Sequence, residues 1–164
     1  MKNILIAFLV LTFSSCEKES AIPDSVAFVK AEAVSEFNCV NQQADKSPSL
    51  ENARKWIEGK WQLKGMITML PTTEVPNIKI EFKEDGGVFV THAGKNVFSN
   101  AYSINETIEN GFRHLIISTD FISTNGDFNE YNFLKGTIRI CEKELMIDNG
   151  IAFDAPGYLL RKIK

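Results

Sequence analysis

From Lys60 to the end of the chain, apolar and polar residues alternate with a period of two. Ile78, Ile80 and Phe82, for example, alternate with charged residues, which is typical of a strand with one buried face. Glycine-containing turn sequences separate eight such runs, as hairpins require. The predicted strands are 60–69, 77–83, 87–92, 96–104, 112–118, 131–141, 144–148 and 157–163.

Eight short strands in succession, with no long helix between them, predict an antiparallel meander. Closing that meander removes its two exposed edges. The predicted fold class is therefore all-β, an eight-stranded antiparallel up-and-down barrel. A barrel of this size either holds one small ligand or is filled by its own side chains, and the pattern leaves both interpretations open.

A different period precedes the first strand, where apolar residues recur at three- and four-residue spacing. Ser47 followed by Pro48 predicts the start of a short helix, with the serine as N-cap and the proline at the first helical position. Gly59 predicts its end, because glycine is common just past the C-terminus of a helix. The domain is expected to cover residues 47–164.

Residues 16–46 carry few apolar positions among charged, small and amide residues. This composition predicts a tether ahead of the domain, either disordered or loosely docked on it.

The first sixteen residues have the layout of an export signal. Lys2 precedes an unbroken apolar run over residues 4–11, which is too short to span a bilayer, and Ser14 and Ser15 then precede Cys16. This segment resembles a bacterial lipoprotein signal, which implies that residues 1–15 are removed and that Cys16 carries lipid. The acidic and lysine residues directly after Cys16 resemble the export signals of lipoproteins that some bacteria display on the outer face of the outer membrane. The expected location is therefore the outer membrane, on its periplasmic or its surface face.

Composition and charge narrow the classes of partner. An apolar fraction of 44% and twelve phenylalanines favour a folded core over disorder. The formal net charge is −3, and no basic stripe is present, so no nucleic-acid partner is expected.

Two cysteines remain once Cys16 is set aside. In an exported protein Cys39 and Cys141 are either a disulfide or two separate buried thiols. No metal site is predicted, because His92 and His114 lack ligand spacing.

Residues at both ends of the predicted barrel carry a family resemblance. The first strand opens on Gly59, Lys60 and Trp61, and an arginine, Arg161, lies on the last strand. This pair resembles the lipocalins. Together with residues 145–148 and 157–158, it is similar to the bacterial lipocalin-like lipoproteins over about residues 50–164. Because first and last strands are neighbours in a closed barrel, Arg161 is expected to cover the Trp61 ring and to stabilise the fold.

The resemblance implies a binding protein for a small apolar ligand, with no catalysis and no cofactor. Phe98, Tyr102 and His114 are the candidate lining residues, chosen from strand position alone. His114 faces the lumen if Phe112 and Ile116 face inward, and it faces water if Leu115 and Ile117 face inward. No nucleophile motif is present, so an enzyme is not expected. The alternative function is a filled barrel that acts as a surface-displayed protein-interaction or structural module.

Overall fold

The computed structural model describes residues 23–43, 47–109, 111–119 and 134–164. The predicted leader 1–15, the lipid-attachment residue Cys16 and the first three residues of the predicted strand 131–141 lie outside these ranges. Two helices, α1 (Asn38–Gln42) and α2 (Leu50–Ile57), and ten strands are present in the described part. The strands are β1 (Phe28–Lys30), β2 (Gly59–Ile67), β3 (Glu74–Pro76), β4 (Ile78–Phe82), β5 (Gly87–His92), β6 (Lys95–Glu109), β7 (Phe112–Thr119), β8 (Gly136–Ile140), β9 (Glu144–Asp148) and β10 (Gly157–Ile163).

Eight of these strands form a closed antiparallel barrel, which confirms the predicted fold class. Its order is β10-β2-β4-β5-β6-β7-β8-β9. Barrel strands that are consecutive along the chain are therefore neighbours in the sheet, and the last strand, β10, pairs with the first, β2. Strands β1 and β3 pair separately as a short two-stranded sheet. The sequence did not reveal these two strands, because three residues are too few to show a period.

The two ends of the barrel differ. At one end Gly59 pairs with Phe82, and helix α2 covers the opening with Ala53 and Ile57 fully buried. We call this the helix end. At the other end Ile67 pairs with Gly157, and the connections 68–73 and 149–156 leave the barrel side by side. We call this the loop end.

Helix α2 begins two residues later than the sequence indicated. Its N-cap is Ser49, whose side chain accepts a hydrogen bond from the Asn52 amide at 3.2 Å. The prediction that Ser47 caps the helix is therefore wrong, and Pro48 precedes the cap. Gly59 follows the helix with φ of 106°, so its predicted role at the helix end is confirmed.

Residues 23–43 run along the outside of the barrel, and we call them the strap. The strap begins at the loop end, where Asp24 forms an ion pair with Lys79. It crosses β2, where the Glu32 amide donates to the Lys64 carbonyl at 2.7 Å. At its far end, helix α1 contacts β9. The described part of the predicted tether is thus docked on the barrel.

Two apolar clusters result from this arrangement. The larger fills the barrel, and the smaller lies between the strap and the outer faces of β9 and β10. Strand β9 therefore has both faces buried: Leu145 and Ile147 point inward, while Met146 lies under the strap. Gly65 allows the strap this close approach, because a Cβ there would lie 3.2 Å from the Glu32 carbonyl oxygen.

Candidate functional site

The barrel interior, where a ligand was expected, is filled by its own side chains. Sixteen buried apolar residues point inward, and each is at most 4% exposed. A cavity that held even one water molecule would leave atoms of its wall accessible. The inward-facing set comprises Trp61, Leu63, Ile78, Ile80, Phe82, Val88, Val90, Ile104, Leu115, Ile117, Leu134, Ile138, Ile140, Leu145, Ile147 and Leu160.

Two predicted lining residues do pack against this interior. Phe98 lies opposite the buried Val90 and contacts the core. The Tyr102 ring meets Phe82 edge to face, with 4.9 Å between ring centroids, and its hydroxyl donates to the Lys83 carbonyl at 3.4 Å. Burial raises the pKa of Tyr102, and the nearby Glu58 carboxylate adds to the shift. Both rings therefore pack as part of the wall.

The third predicted lining residue, His114, faces outward, which is a correction. Its neighbours Leu115 and Ile117 fill the lumen, so the alternation of β7 places His114 on the opposite face. There it borders an external recess of about 670 Å³, together with Arg139 of β8. Pairing between β7 and β8 ends at Leu115 and Ile138, and the recess lies beyond this last pair.

Trp61 is fully buried at the helix end, but Arg161 does not cover it. The indole nitrogen donates to the Ile57 carbonyl of α2 at 2.6 Å. The cation over the Trp61 ring is Lys162, with its Nζ 5.3 Å from the ring centroid. The predicted contact is wrong by one residue, because Lys162 is the register partner of Trp61 while Arg161 pairs with Gln62 and faces outward.

Lys162 also joins the last strand to helix α2. Its Nζ donates to the Trp56 carbonyl at 2.7 Å, near the C-terminus of the helix, where a cation is favourable. Burial lowers the pKa of this amine, and the nearby carboxylates of Glu58 and Glu142 oppose that shift.

Arg161 instead fastens the strap to the barrel. Its guanidinium lies 4.2 Å from the Phe37 ring centroid and donates to Glu32 at 3.0 Å and to the Glu36 carbonyl at 2.8 Å. It also donates to Glu144 on β9 at 2.6 Å. Burial opposes the charged form, but the hydrogen bonds that Arg161 donates to both carboxylates raise its pKa above the ordinary value. We call Arg161, Glu32 and Glu144 the clasp.

Glu144 connects the clasp to helix α1. Its other carboxylate oxygen accepts from the amides of Cys39 and Val40, at 2.8 and 3.2 Å. These amides lie in the first turn of α1, so the carboxylate satisfies donors that have no partner within the helix. The disulfide between Cys39 and Cys141 closes the same contact, which decides between the two interpretations of these cysteines.

Exposed apolar residues collect at both barrel ends. The β6–β7 hairpin extends past its neighbours at the helix end, and Ile108 and Phe112 there are 70% and 57% exposed. At the loop end, Met69, Leu70 and Phe153 are 80%, 77% and 89% exposed. The sequence pattern predicted neither group of exposed residues, because the exposure of a side chain in or next to a turn does not follow from periodicity.

Among the described residues, no three histidine, cysteine or acidic side chains converge as a metal site would require. Within the same ranges, none of the helices has the length and apolar character that crossing a membrane requires.

Comparison with known proteins finds no match among family models, curated proteins or solved structures.

Proposed function

We propose that this chain is an exported lipoprotein, held at the outer membrane by lipid on Cys16, whose filled barrel serves as a non-catalytic protein-interaction module. The observation that supports the module is the packed interior. Side chains with no more than 4% exposure occupy the volume that a carried ligand would need. The lipid anchor is supported by the apolar run, the serine pair and the cysteine of the leader.

A carrier of small apolar molecules is less well supported by this geometry. An apolar ligand the size of one side chain would have to displace residues such as Phe82 or Ile117 from the core. Protein interiors are close-packed, and adding volume to them costs about 1–3 kcal/mol per site. The interaction module requires no such rearrangement.

The β6–β7 hairpin is the surface that we assign to the partner. Residues 106–109 of β6 pair with β7 alone, because the pairing with β5 ends near Ala101. An ion pair of 3.2 Å between Arg113 and Glu106 supports the hairpin across its two strands. Near the tip, each face of the hairpin thus carries one exposed apolar side chain, Phe112 on the outer face and Ile108 on the opposite one, on a supported base that a protein partner can contact.

Site-specific photo-cross-linking in the native cell tests this assignment. A photoreactive residue in place of Phe112 should give a discrete cross-linked protein adduct. The same residue in place of Phe89, an exposed phenylalanine on β5, is the matched control and should give none. Absence of an adduct at Phe112, or equal adducts at both positions, would contradict the assignment.

Native mass spectrometry of the protein from its own cells tests the carrier alternative. We expect the mass of the lipidated chain without a bound small molecule. A co-purifying apolar molecule that is lost on denaturation would replace the interaction module by the carrier. The Cys16→Ala variant separately tests the anchor, since it should leave the membrane fraction and appear in the soluble fraction.

A further inference from the structure

We propose that the loop end of the barrel faces the lipid bilayer and that Met69, Leu70 and Phe153 insert into its interface. This orientation rests on the proposed lipid at Cys16. The acyl chains hold the protein at the membrane, while contact at the loop end orients the barrel and leaves the helix end and its hairpin directed away.

The three tips share one surface because their connections leave adjacent strands. Met69 and Leu70 follow the last residue of β2, Ile67, which pairs with Gly157 at the start of β10. Phe153 lies in the connection that leads into Gly157, and a Cβ at that glycine would meet both Ile67 and Ile151. The exposed side chains therefore project from the same edge of the barrel.

Both connections are held in shape by hydrogen bonds of their own. The Asp148 carboxylate accepts from the amides of Gly150 and Ile151, each at 2.7 Å. The Thr68 hydroxyl donates to the Leu70 carbonyl at 2.5 Å. Large apolar side chains are thus presented to the outside on turns that are already ordered, so insertion costs little conformational entropy.

The strap enters at this same end, which supplies the reason to name lipid as the occupant. Asp24 forms an ion pair with Lys79, and a Cβ at Gly94, in the turn between β5 and β6, would lie 3.1 Å from the Asp24 side chain. The chain takes seven Cα–Cα steps from Cys16 to Pro23, which span at most about 25 Å. A lipid on Cys16 therefore keeps the loop end close to the bilayer.

Insertion is expected to depend on apolar contact, because the charged residues nearest the tips along the chain are acidic. Asp154 follows Phe153, and Glu74 follows the connection that carries Leu70. An electrostatic attraction to anionic lipid would instead require clustered lysine or arginine. Insertion should thus occur in zwitterionic bilayers and should be insensitive to salt.

Depth-dependent quenching tests the orientation with the full lipidated protein reconstituted into phosphatidylcholine liposomes with brominated acyl chains. Phe153→Trp adds a fluorophore at the loop end, and Ile108→Trp is the matched control at the helix end, where the side chain is similarly exposed. The native Trp56 and Trp61 also lie at the helix end and provide an unquenched background. Brominated lipid should remove most of the added Phe153→Trp emission and none of that added by Ile108→Trp.

The outcomes separate the two proposals. If the protein fails to float with the liposomes, the lipid anchor is wrong and the orientation with it. If it floats but the Phe153→Trp emission is unquenched, or if both variants are quenched alike, the anchor stands and the orientation is overturned.

Discussion

The barrel interior and the contact under the strap are both buried, but they are built differently. The interior is continuous and apolar, and its residues come from alternate positions of eight strands. The strap contact combines an apolar cluster with the clasp and a disulfide. Neighbouring residues of β10 serve both, since Leu160 faces inward and Arg161 faces the strap. An interior made by local alternation is thus sealed from outside by contacts between residues far apart in the chain.

The largest difference should appear when neighbouring leucines of β10 are truncated. Leu160 fills the closed interior and Leu159 lies under the strap, and both are fully buried. We expect Leu160→Ala to lower the free energy of unfolding by about 3–5 kcal/mol and Leu159→Ala by about 2–3 kcal/mol, because the strap can close onto the vacated space. Urea denaturation measures both, and an equal or larger loss at Leu159 would contradict the comparison.

Removal of the disulfide should act on the strap contact and spare the interior. Replacing Cys39 and Cys141 by serine is expected to cost about 2–4 kcal/mol, since the bond joins residues 102 apart in sequence. Hydrogen exchange should accelerate in residues 29–40 and stay slow in β4 and β5. Uniform acceleration across the barrel would mean that the strap and the interior unfold as one unit.

Breaking the clasp should have a smaller effect. Arg161→Ala removes ion pairs with Glu32 and Glu144, which are partly open to solvent, and a reduction of about 1–2 kcal/mol in unfolding free energy is expected. Arg161→Lys is the control that keeps the charge but loses the planar contact with Phe37. Tryptophan emission should not change in either variant. A change would instead support the contact between Arg161 and Trp61 that was predicted from the sequence.

The smallest effect concerns Lys162, which lies over Trp61 at the helix end. Lys162→Met should change stability by less than about 1 kcal/mol while altering the emission of Trp61. Burial lowers the pKa of Lys162 below the ordinary lysine value of 10.5. The amine therefore loses its charge at a pH below that of an exposed lysine. Wild-type emission should change in that pH range, and Lys162→Met should abolish the change.

Period-two patterning was a reliable guide to the barrel and a poor one to its attachments. The predicted bounds of β5, β9 and β10 agree with the structure, because these strands alternate cleanly between turns. The predicted orientation of Arg161 was wrong. That the first and last strands are adjacent in the barrel does not fix the register in which they pair. A slip of one residue reverses the face of every side chain, so Lys162 and not Arg161 meets Trp61.

The sequence by itself determined the eight strands of the barrel and their antiparallel order, because alternation is a local property that each strand carries alone. Only the tertiary structure decided that the lumen is filled, that residues 23–43 are docked and that Arg161 joins Glu32 to Glu144. These features depend on register and on contacts between residues as far as 129 positions apart. Such contacts leave no periodic trace along the chain, because each partner is free to occupy any position that the fold brings near.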